Sequence, residues 1–397
     1  MNWRRNLWTL TLAVALSASS YTMLIPFLPL YLLDIGVETD SVTVWSGYIF
    51  SVTFLVAAVM APYWGRLADA GGKKRMVMRA GYSLAIVYFL GAFVSSPVEL
   101  LMVRILQGFA NGFVPASLAI AASGSPPQHL GFSLGVIQTG TLLGSIVGPL
   151  IGGTLSHYFG MRASFVIAAA IIAIGTSGVR LLVTEPAEGR KTGDSSIGSD
   201  IRRALGNRQL VTVLALLFVL QTVTMVLQPL ITLYVAQLQG GYEGVVLTSG
   251  IIFSLAGIAG AIAAPLWGRL GQHRGFRPIL IASFLGAGLF NGAQFFANHI
   301  IWFAVLQFLF GLFVVGAHPV LNTIAVSSAE EGFKGRILGL LTTAHQLGGM
   351  MGPLLGGLLS ALVGIKWVFL FTGCTLLILA AAILTGFIGT KSVSLRQ

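Results

Sequence analysis

Two histidines sit in apolar stretches, His318 in "GAHPVLN" and His345 in "TTAHQLGG". Imidazole changes charge near neutral pH, so a histidine in such a place can carry a proton. It can equally be a satisfied polar packing group, and both readings stand for His318 and His345. Arg104, in "LMVRILQG", is the only Lys or Arg well inside an apolar run. A guanidinium there costs about 2.5–3.5 kcal/mol on insertion scales, so it should face a cavity and hold a partner. None of the Asp and Glu residues lies in the middle third of an apolar run, and Asp34 is the nearest candidate counter-ion. Arg104 would have to extend outward to reach it. Asp34, Arg104, His318 and His345 are thus the candidates for proton movement. No metal-spaced His/Cys/Glu set, nucleotide loop or nucleophile triad appears, so the sequence reads as a non-enzyme without a cofactor or metal.

Residues of this kind need helices that hold them in a bilayer. The chain has 397 residues, 55% hydrophobic and 9% charged, with mean hydropathy +0.88. Soluble domains carry about 25% charged residues. Twelve apolar runs of spanning length are legible: 7–33, 44–68, 77–95, 98–122, 131–157, 162–183, 209–236, 247–270, 278–297, 300–327, 336–362 and 366–389. In lipid every backbone polar group must be satisfied within its segment, so these are predicted helices. The expected fold is an all-α integral membrane protein of twelve transmembrane helices in two pseudo-symmetric six-helix bundles.

The formal charge of +11 invites a nucleic-acid reading, but its placement refuses it. With the N-terminus inside, all but three of the 23 Lys and Arg fall in cytoplasmic connections or tails; Arg104, Arg162 and Lys366 are the exceptions. That asymmetry predicts cytoplasmic termini. The apolar stretch behind "MNWRR" runs on to Leu33, too far for a signal peptide, and is read as a first span. The single cysteine, Cys374, excludes an internal disulfide.

The chain repeats itself. "APYWGRL" (61–67) returns as "APLWGRL" (264–270), Pro26 and Tyr31 return as Pro229 and Tyr234, and "GFSLGVIQTGTLLGSIVGPLIGG" (131–153) answers to "GRILGLLTTAHQLGGMMGPLLGG" (335–357). The polar stretch between the copies reads as a flexible linker. Expected domains are therefore 1–183, a linker 184–208, and 209–397.

These features resemble the major facilitator superfamily over the whole length, and within it the drug:proton antiporters. The loop pattern G-x-x-x-D-x-x-G-[RK]-[RK] is matched by Gly65, Asp69, Gly72, Lys73 and Lys74; R-x-x-Q-G by Arg104, Gln107 and Gly108. The pattern G-x-x-x-G-P-x-x-G-G is matched by Gly144, Gly148, Pro149, Gly152 and Gly153, and P-x-x-P-x-Y by Pro26, Pro29 and Tyr31. The runs "PFLPLY" and "NGFVP" look most like the MdtG-type bacterial efflux pumps. The resemblance implies proton-coupled export of lipophilic or amphipathic drugs by alternating access, from a functional monomer in the bacterial inner membrane. A major facilitator exporter of a sugar or lipid is the alternative. It also implies that Asp69 latches an inner gate at the start of span 11, with Gly65 and Gly72 allowing close approach. A basic residue usually follows this acid; here it is Ala70, and Arg66 stands in from the preceding turn. Lys73 and Lys74 complete the gate set.

Depth along the predicted spans places Tyr21, Thr22, Asn111, Gln138, Gln221, Met225, Phe253, Phe310 and Phe313 near the midplane, along with Phe54. With Pro26, Tyr31 and Gln107 from the motifs, these are the expected cavity residues. Aromatic and Met side chains with a few amides suit lipophilic cargo of varied shape.

Overall fold

The computed structural model describes residues 2–185, 202, 206–328 and 334–385; the side chains of Asp69, Ala70, Pro127, Gln272, Lys334, Arg336 and Leu338 lie outside that description. All regular structure among the described residues is helical. The helices are α1 (Trp3–Thr22), α2 (Leu28–Asp34), α3 (Val42–Gly71), α4 (Lys73–Gly91), α5 (Pro97–Ala110), α6 (Phe113–Gly124), α7 (Leu130–Phe159) and α8 (Met161–Leu182). After the linker come α9 (Arg208–Leu227), α10 (Leu230–Gln239), α11 (Val245–Arg274), α12 (Phe276–Ala293), α13 (Ile300–Ser327), α14 (Lys334–Val363) and α15 (Ile365–Leu384).

Three expected spans are interrupted. The first divides into α1 and α2 around the 3-10 turn Ile25–Phe27, because Pro26 and Pro29 lack the N–H that helix continuation needs. The seventh divides at Gln228–Pro229 in the same way. The fourth divides at Asn111–Gly112, where Gly112 takes φ +122°, open only to glycine. Among the described residues, eleven continuous or paired helical stretches are long and apolar enough to cross a bilayer. The remaining expected span is α4, whose first turn is "KKR" and lowers its mean hydropathy. Large apolar side chains stay uncovered on the helix surfaces: Leu181 is 79% and Leu362 81% exposed.

The chain divides into two compact units, Met1–Gly193 with Gly241–Ser254, and Asp194–Gly240 with Leu255–Gln397. Within the first, α7 lies along α1 on a face of glycines. A Cβ on Gly140 would stand 2.7 Å from the Thr11 carbonyl oxygen, and one on Gly144 2.9 Å from the Ser19 nitrogen. Gly148 and Gly152 meet Thr22 and Met23 in the same manner. Gly153 points elsewhere, towards Val246 and Gly250 at the start of α11. Within the second unit α14 repeats the device on α9: Gly348 meets Phe218 and Gln221, Gly352 meets Met225, and Gly356 meets Val226. Small faces let helix backbones approach where lipid offers no hydrophobic drive.

Each unit also carries a buried tyrosine strap. Tyr31 donates its hydroxyl to the carbonyls of Gly91 (3.1 Å) and Val94 (3.2 Å), at the C-terminal end of α4. Tyr234 donates to Gln294 (3.4 Å) and Ala297 (2.8 Å) at the end of α12. Helix ends leave carbonyls without partners, and these phenols satisfy them.

Candidate functional site

A recess of about 260 Å³ opens inside the first unit. Its wall is built from Ser17, Ala18, Tyr21 and Thr22 of α1, Thr53 and Phe54 of α3, Leu84 and Tyr88 of α4, Gln107 of α5, Asn111 at the break, Phe113 and Val114 of α6, and Thr141 and Ser145 of α7. No Asp, Glu, Lys or Arg is among them. Hydroxyl and amide groups are set among aromatic rings, so the recess suits apolar cargo with a few uncharged polar groups. Of the cavity residues expected from sequence, Tyr21, Thr22, Phe54, Gln107 and Asn111 line it.

Arg104 stands behind that wall, 4% exposed. Its Nη1 donates to Gln107 Oε1 at 2.5 Å, and the Nε2 of Gln107 lies 3.4 Å from the Tyr88 hydroxyl. The guanidinium carbon is 5.7 Å from the centre of the Phe50 ring. The expected pairing with Asp34 is not made. Asp34 is exposed at the end of α2, where water solvates it, and Arg104 Nε and Nη2 have no hydrogen-bond partner among the described residues. The neutral amide one turn along its own helix takes the place of a counter-ion.

The break in span 4 has its own support, which sequence reading missed. In a continuous helix the Phe109 carbonyl would receive the N–H of Phe113, and that of Asn111 would face Pro115, which has none. The Trp64 indole N–H donates to the Phe109 carbonyl at 2.9 Å instead. Arg79 donates from Nη1 to Phe109 (3.2 Å) and from Nη2 to Asn111 (2.8 Å), with its guanidinium 3.6 Å from the Trp64 ring centre. Arg79 counts among the topology-setting charges in sequence, yet its guanidinium is spent on freed backbone. The recurrence of Trp64 as Trp267 was the one available signal.

Other expected cavity residues are placed differently. Tyr31 is fully buried as a strap and Pro26 is buried in the turn, because both satisfy or interrupt backbone rather than face a void. Gln138 is exposed on α7 and does not line the recess. Phe313 packs with Trp267 (5.7 Å) and Phe290 (5.5 Å) over bare Gly286, and Phe310 is buried in α13. Phe253 is half-buried on α11, and Met225 lies against Gly352.

In the second unit Gln221 meets His345, which stacks on His318. The rings of His318 (α13) and His345 (α14) stack with centroids 5.1 Å apart and planes 17° apart. His345 Nδ1 lies 3.1 Å from Gln221 Oε1 on α9.

Of the expected gate, the Asp69 side chain lies outside the described residues. Gly65 has no described neighbour within 4 Å of where a Cβ would stand, and Arg66 is exposed. Gly72, Lys73 and Lys74 serve a contact that sequence reading missed. Gly72 takes φ +96° before α4 and offers no capping side chain. Glu185, just past α8, caps the helix in its stead, accepting from Lys73 N (2.6 Å) and Lys74 N (3.0 Å). Lys74 Nζ donates in turn to the carbonyls of Arg180 (2.9 Å) and Val183 (2.6 Å), the last turn of α8. An acid at a helix start and a cation at a helix end both complement the helix dipole.

A family model described as Major Facilitator Superfamily matches residues 10–263 and 244–395. The chain belongs to the Major Facilitator Superfamily. It is therefore a multi-pass membrane transporter, and the two repeated units are the superfamily's architecture. Among relatives, it is 33% identical over 374 residues to "Multidrug resistance protein MdtG" of Proteus mirabilis (strain HI4320), covering 94% of this chain and 93% of that protein. It is 32% identical over 379 residues to the MdtG of Escherichia fergusonii, covering 95% and 93%. Among solved structures, the nucleoside transporter NupG superposes with TM-score 0.82 at 15% identity, covering 98% of this chain and 100% of that one. The human organic anion transporter MFSD10 gives TM-score 0.72 at 20% identity, covering 97% and 100%. At such identities the major facilitator fold is what these structures share with this chain.

Proposed function

We propose that this transporter exports lipophilic and amphipathic compounds of varied shape across the bacterial inner membrane in exchange for protons. The recess in the first unit carries the reading. Its aromatic and hydroxyl-bearing wall holds no fixed charge, and Gln107 couples it to a buried guanidinium. An apolar wall with scattered uncharged donors discriminates weakly among shapes, as a multidrug exporter requires. Similarity to the MdtG multidrug resistance proteins supports the same direction and cargo class. Transport proceeds by alternating access, in a functional monomer with cytoplasmic termini, the orientation that the basic connections favour.

Everted membrane vesicles test this reading. An inward-acid gradient should concentrate ethidium inside the vesicles, and a protonophore should abolish the accumulation. Gradient-independent equilibration alone would overturn proton exchange, and no movement of any lipophilic probe would overturn the cargo class.

A further inference from the structure

The stacked histidines stand out once the repeat is followed through them. Val114 precedes Pro115 in the first copy as His318 precedes Pro319 in the second, at an offset of 204. Thr141 corresponds to His345 at the same offset, and Ala18 corresponds to Gln221 at 203. Val114, Thr141 and Ala18 all line the recess of the first unit. The three positions that form a cavity wall in one repeat therefore form a polar, titratable cluster in the other.

Among the described residues, no Asp or Glu lies on the helices packed around the cluster. On α11, which meets α13 at Gly311 and Gly316, the basic groups are Arg269, His273 and Arg274 towards its C-terminal end. The thiol of Cys374 on α15 is exposed. On α9 the only charged residue is Arg208, in the first turn. On α13 it is His318 alone, and on α14 Lys334 and Arg336 stand at the start, eleven and nine residues before His345. On α12 Arg277 opens the helix and donates to the Ile383 carbonyl, and on α15 Lys366 opens the helix and donates to Asn298. Gly348 makes room for the amide: a Cβ there would stand 2.7 Å from the Gln221 Cβ.

We propose that the His318–His345 pair is the site that carries the exchanged proton, and that it holds one proton at a time. The proposal rests on the proton-coupled reading above. Gln221 Oε1 is an acceptor, so it favours the His345 tautomer with hydrogen on Nδ1 and leaves the Nε2 lone pair open. Proton uptake forms one N–H bond at that lone pair and breaks one O–H bond of a hydronium ion, leaving water, and release reverses it. The resulting imidazolium lies against the face of a neutral His318 ring, an arrangement that favours the cation. A second proton would set two positive charges on rings 5.1 Å apart in an apolar interior. Like charges that close cannot both ionise over the same pH range.

Two measurements test the proposal. In proteoliposomes, the double variant His318→Gln/His345→Gln should lose gradient-driven ethidium accumulation at least tenfold while keeping ethidium–ethidium exchange within twofold of wild type. Retained exchange reports a folded transporter. A double variant that still concentrates ethidium overturns the site. A wild type that exchanges ethidium but never concentrates it overturns the coupling reading instead. Replacing His129, His157, His273 and His299 by Gln leaves only the pair, and its imidazole nitrogens can be titrated by NMR in detergent. One proton bound per molecule as the pH is lowered from 8 to 4 is expected. Two protons, or none, would overturn the single-proton site whatever transport shows.

Discussion

The indole N–H of Trp64 donates to the carbonyl of Phe109 at 2.9 Å, and the second repeat reproduces the bond between Trp267 and Leu312 at 2.7 Å. The two bonds support different backbones. Phe109 lies one residue before the end of α5, at a break beside the recess, whereas Leu312 lies inside the continuous helix α13. Among the described residues, a second donor, Arg79, joins the first of these bonds and none joins the second.

Trp64→Phe keeps the ring and removes one hydrogen bond, so it should cost about 1 kcal/mol, visible as a lower Tm in detergent. Arg79→Gln removes two donors and the cation over the indole. It should cost about twice as much and also slow transport, because the carbonyls of Phe109 and Asn111 would seek other partners across the break. Trp267→Phe should lower Tm to a similar extent as Trp64→Phe but leave the recess intact. Equal transport loss in Trp64→Phe and Trp267→Phe would contradict a special role for the break.

The glycine faces predict a steric ranking. A methyl group at Gly152 would meet backbone, standing 2.6 Å from the Met23 carbonyl carbon, whereas Gly178 on α8 has nothing described within 4 Å. Gly152→Ala should destabilise by about 1–3 kcal/mol through overpacking, and Gly178→Ala should be neutral or slightly stabilising. Thermal unfolding of both variants in one detergent decides this.

Glu185→Gln tests the cap on α4. Both carboxylate oxygens accept a backbone N–H, and hydrogen bonds to a charged acceptor contribute about 1.5–3 kcal/mol each at most. The variant keeps one acceptor and loses the charge at the helix start, so a cost of about 1–2 kcal/mol is expected. Hydrogen exchange at the Lys73 and Lys74 amides should rise together, while the Tyr31 strap at the other end of α4 stays protected.

The helices and their repeat were legible because hydropathy and self-similarity depend on residue type alone. Pro26 and Pro229 lie in spans that read as continuous, although each lacks the N–H that an unbroken helix needs. The break at Asn111–Gly112 carries no such mark, since glycine is common in membrane helices and the pattern around it stays apolar. The recess residues Tyr21, Thr22 and Gln107 followed from depth and motif, but depth gives no azimuth, which is why Tyr31 and Phe313 proved to be packing groups. Arg79 and Glu185 escaped because their partners are backbone atoms far along the chain, and no residue type marks a carbonyl that a later proline has left open. The two histidines were visible singly. Their stacking depends on the rotation of α13 against α14, which sequence spacing does not report.

Arg104 and Gln107 make the last prediction, and it runs against intuition. The guanidinium is buried and its one bonded acceptor is the Gln107 amide at 2.5 Å. Gln107→Leu leaves the charge in place without that acceptor, whereas Arg104→Gln removes the charge itself. Leaving a buried donor unsatisfied costs its desolvation, about 1–3 kcal/mol and more for a charged group. Gln107→Leu should therefore lower Tm more than Arg104→Gln, and the double variant Arg104→Gln/Gln107→Leu should recover much of the loss. Thermal unfolding of the three variants gives the coupling energy directly. Additive losses would mean that Arg104 finds its solvation elsewhere, and the amide would then serve the recess rather than the charge.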